Sequence, residues 1–481
     1  MGQTVNSVKR FICRTTVGAL VCTLPLFLGT GAGAAEISFT EAWQRVKASN
    51  ELLQAEQANI ERAEHERSAN RDLYLPQLNL SAGYMYLDDS VELSGSQILD
   101  SISGSEELLD ALKPILGSIG VDPTSLLGLS STISEREVLI SGLSMLWPLY
   151  TGGRITAAQD IAKARVRESE LQYQLKLRDR FEELSKRYFG VVFAEQIVAT
   201  RLEVEASLKK HLNHATLLYK NGQVAEVERM QAEASYDRAR VNRLKAEADR
   251  KIASTALNSM LAVEEPAQPA TPLFVRDDLP LLESSINGAL AGFPGLAIFD
   301  AKEEMVAGKA AVEKGKYFPE VAAVGNYSLH EGDGLAFELT PDWFVGVSVS
   351  LPIIDRSGRG GHYRAAKSLE RRIDLLRSQA RKDISLLVEK TWRETSQALA
   401  EYEGLETSLK LAEETVVLRN KAFQQGLATS LDVIDANLFV ASVKTQRSLA
   451  AYTYIKRLAR LLTLSGDVGD EGFDVQLIEG E

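Results

Sequence analysis

The chain has 481 residues, 45% of them hydrophobic and 25% charged, a composition that belongs to a folded protein and excludes a disordered or low-complexity one. Its formal net charge of −12 excludes a nucleic-acid partner, which needs a basic surface against phosphates.

The first residues carry Lys9, Arg10 and Arg14, then an apolar run from Val17 to Leu28 and the small residues Ala32-Gly33-Ala34. This order predicts a secretory signal peptide over 1–34, cleaved after Ala34. The apolar run is too short for about 30 Å of hydrocarbon, which argues against an anchor. Both cysteines, Cys13 and Cys22, lie inside it. The exported chain is therefore expected to have no thiol, disulfide or lipid anchor, and its net charge to fall to −15 with the loss of three cations. After Ala34 no stretch of 18 apolar residues occurs, so any membrane crossing must use strands.

A helix is expected near Phe39 to Tyr74. Leu78, Leu80, Ala82, Tyr84 and Tyr86 then alternate with Asn79, Ser81, Gly83 and Met85, which is the two-residue period of a strand. A Ser-, Gly-, Leu- and Asp-rich stretch, about 87–137, reads as a long loop, and Val138 to Leu146 as the returning strand. From Pro148 to Pro266 there follow 117 residues without proline, rich in Ala, Leu, Glu, Lys, Arg and Gln. Such a segment is helical, and Leu171, Leu175, Phe181, Leu184, Tyr188, Val191 and Ala194 form an apolar stripe along it. One break, Tyr219-Lys220-Asn221-Gly222, divides it into a hairpin, since glycine lets the backbone leave the helix. At about 1.5 Å per residue the first arm extends roughly 100 Å.

A linker with Pro266, Pro269, Pro272 and Pro280 follows, and then the series begins again. A second helix is expected near Leu281 to Lys316, and strands over Val321 to Leu329 and Trp343 to Leu351. In the latter, Trp343, Val345, Val347 and Val349 share one face and Phe344, Gly346, Ser348 and Ser350 the other. The 129 residues after Pro352 contain no proline and break at Phe423-Gln424-Gln425-Gly426. Pro148 to Gly222 spans 74 residues, and so does Pro352 to Gly426. This is an internal repeat. Leu75-Pro76-Gln77-Leu78 matches Phe318-Pro319-Glu320-Val321 at an offset of 243, against 204 downstream, so the first copy holds 39 extra residues, confined to its long loop.

The organisation predicted is a signal peptide (1–34), a first repeat (35–265) turning at 222, a linker (266–280), a second repeat (281–465) with a short loop about 330–342 and a turn at 426, and a short acidic tail (466–481). The fold class is α+β, each repeat being a strand pair joined to a long α-helical hairpin. Each strand is about 10 residues, long enough to cross a bilayer at a tilt. Four strands cannot close a barrel, because about 8 is the smallest known in membranes, and open edges in lipid leave backbone groups unpaired. Three chains would supply twelve.

Trp147-Pro148-Leu149-Tyr150-Thr151-Gly152-Gly153-Arg154, its counterpart Leu351-Pro352-Ile353, the twin glycine turns and the segment from Phe423 to Asp435 together resemble the TolC-like outer-membrane efflux and secretion channels. The likeness runs along essentially all of the exported chain. It implies a homotrimer with a 12-stranded barrel in outer-membrane lipid and an α-helical barrel in the periplasm. It also implies a periplasmic adaptor that opens the tip and an inner-membrane transporter that supplies the energy. No cofactor, metal or catalytic group is implied, and the chain is not expected to be an enzyme. The substrate and the pump class are not encoded in these motifs.

In that family two acidic positions ring the tip, and here they are Asp432 and Asp435, three apart on one helix face. Six carboxylates would then surround the narrowest lumen and favour cations. The competing reading is that Thr429 or Ser430 caps the helix while the acids complement its positive end. Asn221, Gly222, Gln223, Gln425, Gly426 and Leu427 match the tip segments that meet the adaptor; their simpler role is to turn the chain. The family often has Arg two residues after the second turn glycine, where this chain has Ala428. Its usual acidic partner position is Glu228, which is left to Arg229, Lys220 or solvent. His211 and His214 are three apart but have no third ligand in view. Arg154, Arg356 and Arg359 fall where strands become helices, facing headgroups, carboxylates or water. A different class, a periplasmic coiled-coil scaffold without membrane strands, predicts release by osmotic shock instead of a detergent-resistant trimer.

Overall fold

The computed structural model describes residues 36–94, 130–263, 266–330, 340–354 and 356–465, with isolated positions between 97 and 118. The expected leader, the acidic tail and most of both loops lie outside the described residues. The first repeat runs β1 (Glu36–Ile37), α1 (Phe39–Ser49), α2 (Glu51–Arg71), a 3₁₀ turn (Asp72–Tyr74), β2 (Gln77–Tyr86), β3 (Val91–Ser94), β4 (Ser130–Ser134), β5 (Glu137–Tyr150), α3 (Arg154–Lys220) and α4 (Glu226–Leu261). The second runs β6 (Gln268–Pro269), α5 (Leu282–Gly292), α6 (Pro294–Gly315), β7 (Glu320–His330), β8 (Trp343–Ser350), α7 (Arg359–Gln424) and α8 (Ser430–Ser465).

The equal spacings become equal helices. Arms α3 and α7 have 67 and 66 residues, and the returning α4 and α8 have 36 each. The leading helix of each repeat, expected to be continuous, is in two pieces. Asn50 ends α1 and caps α2, its side chain accepting from the Leu53 N–H at 3.4 Å. Pro294 starts α6, where a missing N–H costs no helical bond.

Strands β2, β5, β7 and β8 form one antiparallel sheet in that order, so β2 and β8 carry its open edges. Inside the stretch expected to be a loop, β3 and β4 pair antiparallel next to the β2–β5 hairpin. Arg136 lies over the Tyr86 ring at 4.8 Å where the two ladders meet.

The largest apolar core sits at mid-height on the helices. Phe39 packs edge-on against Phe181 and Tyr188 and stacks on Phe189, with ring centroids 5.3–5.6 Å apart. Leu184, Leu257, Tyr454, Ile455 and Leu458 join the same cluster. Each such side chain contributes about 1.5–3 kcal/mol on burial. The linker is fastened here. Short β1 and β6 pair in parallel, and the Tyr188 hydroxyl donates to the Ile37 carbonyl at 2.7 Å and accepts from the Thr271 N–H at 2.9 Å. Tyr454 donates to the Arg276 carbonyl and Trp392 to that of Pro280. The proline-rich joint is thus a strap across both hairpins.

Candidate functional site

The sheet has two chemically different faces that agree across all four strands. Leu80 pairs with Leu143, Leu143 with Tyr327, and Tyr327 with Trp343, which puts them on one face; Asn79, Ser144, Asn326 and Phe344 form the parallel row on the other. The first face continues through Leu78, Val345, Val347 and Val349, all 60% exposed or more. The second continues through Gln77, Ser81, Gly83, Ser328, Gly346 and Ser348, with Met85, Ile140, Leu146 and Val324 as apolar members among them. An apolar exterior and a polar, small-residue interior are the two sides of a membrane barrel wall. Among the described residues no helix is long and apolar enough to cross a membrane.

At the foot of the sheet, Arg154 pairs with Glu320. Arg359 donates to the Pro352 carbonyl at 2.8 Å and the Ile353 carbonyl at 2.9 Å, and lies over the Tyr317 ring at 4.5 Å. Of the three arginines expected at these junctions, two therefore brace the turn from strand to helix, and Arg356 is exposed.

Below, ion pairs lace the helices into a wall. Lys444 of α8 reaches Glu203 of α3 at 2.7 Å and Glu413 of α7 at 3.2 Å. Arg243 of α4 meets Glu205 of α3 at 2.5 Å, and Arg457 of α8 meets Glu394 of α7 at 3.0 Å.

The far end holds the two glycine turns. Gly222 and Gly426 have φ of +74° and +73° with open space where a Cβ would be, so the backbone angle, not crowding, selects glycine. In both turns the residue after the glycine bonds back into the helix, Gln223 N–H to the Leu218 carbonyl and Leu427 N–H to the Ala422 carbonyl, each at 2.8 Å. These are twin Schellman closures. They leave Asn221, Gly222, Gln223, Gln425, Gly426 and Leu427 exposed, with Leu427 at 77%.

Beyond the second turn, Thr429 begins α8 with a reciprocal cap. Its hydroxyl accepts from the Asp432 N–H at 3.3 Å, and the Asp432 carboxylate accepts from the Thr429 N–H and hydroxyl at 2.9 and 2.7 Å. Arg419 of α7 approaches the same carboxylate at 3.1 Å. The Thr429 N–H, its hydroxyl and Arg419 hold the Asp432 carboxyl below the usual aspartate range. The capping reading of this residue is therefore realised. Asp435, one turn on, is exposed.

Glu228 goes to neither Arg229 nor Lys220. Its carboxylate accepts from the Ser430 N–H at 2.6 Å, and the Ser430 hydroxyl donates to the Glu228 carbonyl at 3.1 Å. Arg229 pairs instead with Glu226 and Glu233. The acid from the first hairpin thus caps the last helix of the second. His211 lies buried against Phe423, while the His214 Nδ1 is 3.4 Å from the Gln424 amide nitrogen. Among the described residues no group of three or more His, Cys, Asp or Glu is placed to hold a metal. Sequence reasoning missed Arg419, the Glu228–Ser430 tie and the burial of His211. Only the Thr429-x-x-Asp432 spacing, a capping-box signature, was there to be read.

Comparison with known proteins matches this architecture. A family model described as outer membrane efflux protein covers residues 42–263 and 286–467. Protein CyaE of Bordetella pertussis is 22% identical over 347 residues, 70% of this chain and 72% of its own length. The cation efflux system protein CusC of Escherichia coli K12 is 28% identical over 116 residues, only 22% of this chain and 25% of CusC. Among solved structures, a membrane protein from Pseudomonas aeruginosa superposes with a TM-score of 0.71 at 14% identity, over 91% of this chain and 92% of the other. The open state of the Neisseria gonorrhoeae MtrE outer membrane channel gives 0.68 at 18% identity, over 89% and 88%. With both repeats matched and a two-faced barrel wall standing on long paired helices, the chain belongs to the outer membrane efflux protein family: it is an outer-membrane channel of the TolC type with a periplasmic helical extension.

Proposed function

We propose that three copies of this chain form the exit duct of a tripartite efflux pump or type I secretion system, receiving substrate from an inner-membrane transporter through a periplasmic adaptor. The observation that carries this reading is the four-stranded sheet with one apolar face and open edges at β2 and β8. In lipid those edges need partners, and antiparallel pairing of β8 with β2 of the next copy closes twelve strands around the polar face. Arms of about 100 Å then stand side by side as a tube. Conduction is passive, driven by the transporter.

At the tube's far end Asp435, with Asp432 behind it, supplies the carboxylate ring at the narrowest point, and the exposed turns at Gly222 and Gly426 are where the adaptor docks. The cation efflux role carried in the name of the CusC relative supports efflux as the task without fixing the cargo. Fractionation tests the assembly. A detergent-resistant species of three chains in the outer membrane is expected; monomer released by osmotic shock would favour a periplasmic scaffold instead.

A further inference from the structure

Among the described residues, His211 is the only imidazole, carboxylate or cationic side chain that is fully buried, at 1% exposure. It lies on α3, eleven residues before the turn glycine. Its ring meets Phe423 of α7 edge-on, with centroids 4.5 Å apart. Phe423 and Ala215, one turn along from His211, belong to a small core with Ala232 of α4 and Val433 of α8. All four long helices thus meet in this core. Neither ring nitrogen of His211 has a hydrogen-bond partner among the described residues. A neutral imidazole tolerates that environment, whereas an imidazolium would bury a charge and leave two strong donors unmet.

The charged groups around it do not rescue the cation. His214, one turn along α3, opposes a second positive charge, and Glu228 across on α4 favours one, but the Glu228 carboxylate is already engaged by the Ser430 N–H. On α7 and α8 the ionisable residues nearest this core in sequence are Lys421 and Asp435, both exposed, and Arg419 and Asp432, which pair with each other.

We propose that His211 is a proton-sensing gate residue of the tip: the hairpins α3–α4 and α7–α8 stay together while its imidazole is neutral, and part when acid charges it. This rests on the reading of the tip as the narrow end of the duct. Burial, with His214, lowers the pKa of His211 from 6.5 to about 4. Parting the hairpins returns the ring to water and to its ordinary value. The parted state then binds the proton more tightly, so the closed state loses stability as the pH falls below about 6.5. Between pH 7.5 and 5.5 the ratio of open to closed rises about tenfold for each protomer.

The test is single-channel recording of the full-length channel in lipid bilayers at pH 7.5 and 5.5. The variants are wild type, His211→Phe, His211→Gln, and Asp432→Asn/Asp435→Asn with and without His211→Phe. Open probability should rise about tenfold or more on acidification in wild type and in the aspartate variant, and stay flat wherever His211 is replaced. An equal rise in the His211 variants, or none in wild type, overturns the proposal. Failure of the constriction reading shows separately, as wild-type conductance in the aspartate variant with the His211-dependent acid response retained. Should both replacements fail to assemble, an NMR titration of the five histidines in the wild-type channel decides. One that stays neutral down to about pH 5 is expected; five titrating near 6.5 contradict the proposal.

Discussion

Glu228 of α4 and Ser430 of α8 are joined twice, by the 2.6 Å bond from the Ser430 N–H to the Glu228 carboxylate and the 3.1 Å bond from the Ser430 hydroxyl to the Glu228 carbonyl. The two residues are 202 apart in sequence and belong to different repeats, so this tie holds one hairpin tip against the other. Ser430 is fully buried. Its N–H is one of the donors that a helix start leaves without an internal partner, and Glu228 meets both that donor and the positive end of the helix.

Replacing Glu228 by Ala should therefore loosen the tip without unfolding the tube. A charge-assisted bond to a buried backbone donor is worth about 1–3 kcal/mol, so the equilibrium between tip-closed and tip-open forms should shift by about 5- to 160-fold. Protease cleavage near Lys220 and Lys421 reports this shift. Wild-type cleavage rates in Glu228→Ala would show that the tie is incidental.

The cap at Thr429 has a pH signature. Because the Asp432 pKa is held below its ordinary value of 3.8 by Thr429 and Arg419, its contribution is complete above about pH 4 and disappears as the pH falls through the folded-state value. Thr429→Ala, which removes a cap worth about 1 kcal/mol, should lower the melting temperature at pH 7. Asp432→Asn should do so at pH 7 and progressively less towards pH 3. A constant difference between Asp432→Asn and wild type across that range would contradict the ion-pair and cap assignment.

At the turns, the requirement is for positive φ with free space beside it. Gly222→Asn and Gly426→Asn should fold normally, since Asn tolerates the left-handed region. Gly222→Trp strikes no neighbour but strains the left-handed backbone, so it should assemble with a lower melting temperature, and should stop transport where Gly222→Asn does not if the adaptor sits on this surface. Wild-type transport by Gly222→Trp would remove the turn from the docking site.

The strap at mid-height predicts a stability effect far from the tip. Tyr188→Phe removes a hydroxyl that serves both the Ile37 carbonyl and the Thr271 N–H. Two part-buried backbone groups lose a partner, which should cost about 1–3 kcal/mol and lower the melting temperature, with channel conductance unchanged.

Much of this architecture was legible in the sequence, because its strongest signals are periodic and repeated. The 74-residue spacing from proline to turn glycine reappears as arms of 67 and 66 residues. The alternation from Trp343 to Leu351 reappears as β8, one face apolar and the other small or polar after Phe344. What could not be read depends on contacts between residues far apart in the chain. The break at Asn50 looks like ordinary polar surface until its side chain is seen to cap α2. The pairing of β1 with β6 spans two residues of each strand, too few to leave a period. Ala428 pointed to a missing cation at the tip, but Arg419, on the opposite side of the turn, brings one to Asp432. His211, set in a helix of mixed polarity, gave no sign of being enclosed by both hairpins.

The central claim is that this chain builds a duct whose narrowest point is the acidic tip. Single-channel conductance of the purified channel in lipid bilayers, wild type against Asp432→Ala/Asp435→Ala, tests it most directly. The account predicts stable channels whose conductance rises, and whose block by multivalent cations weakens, when both carboxylates are removed. Unchanged conductance and unchanged block would contradict it.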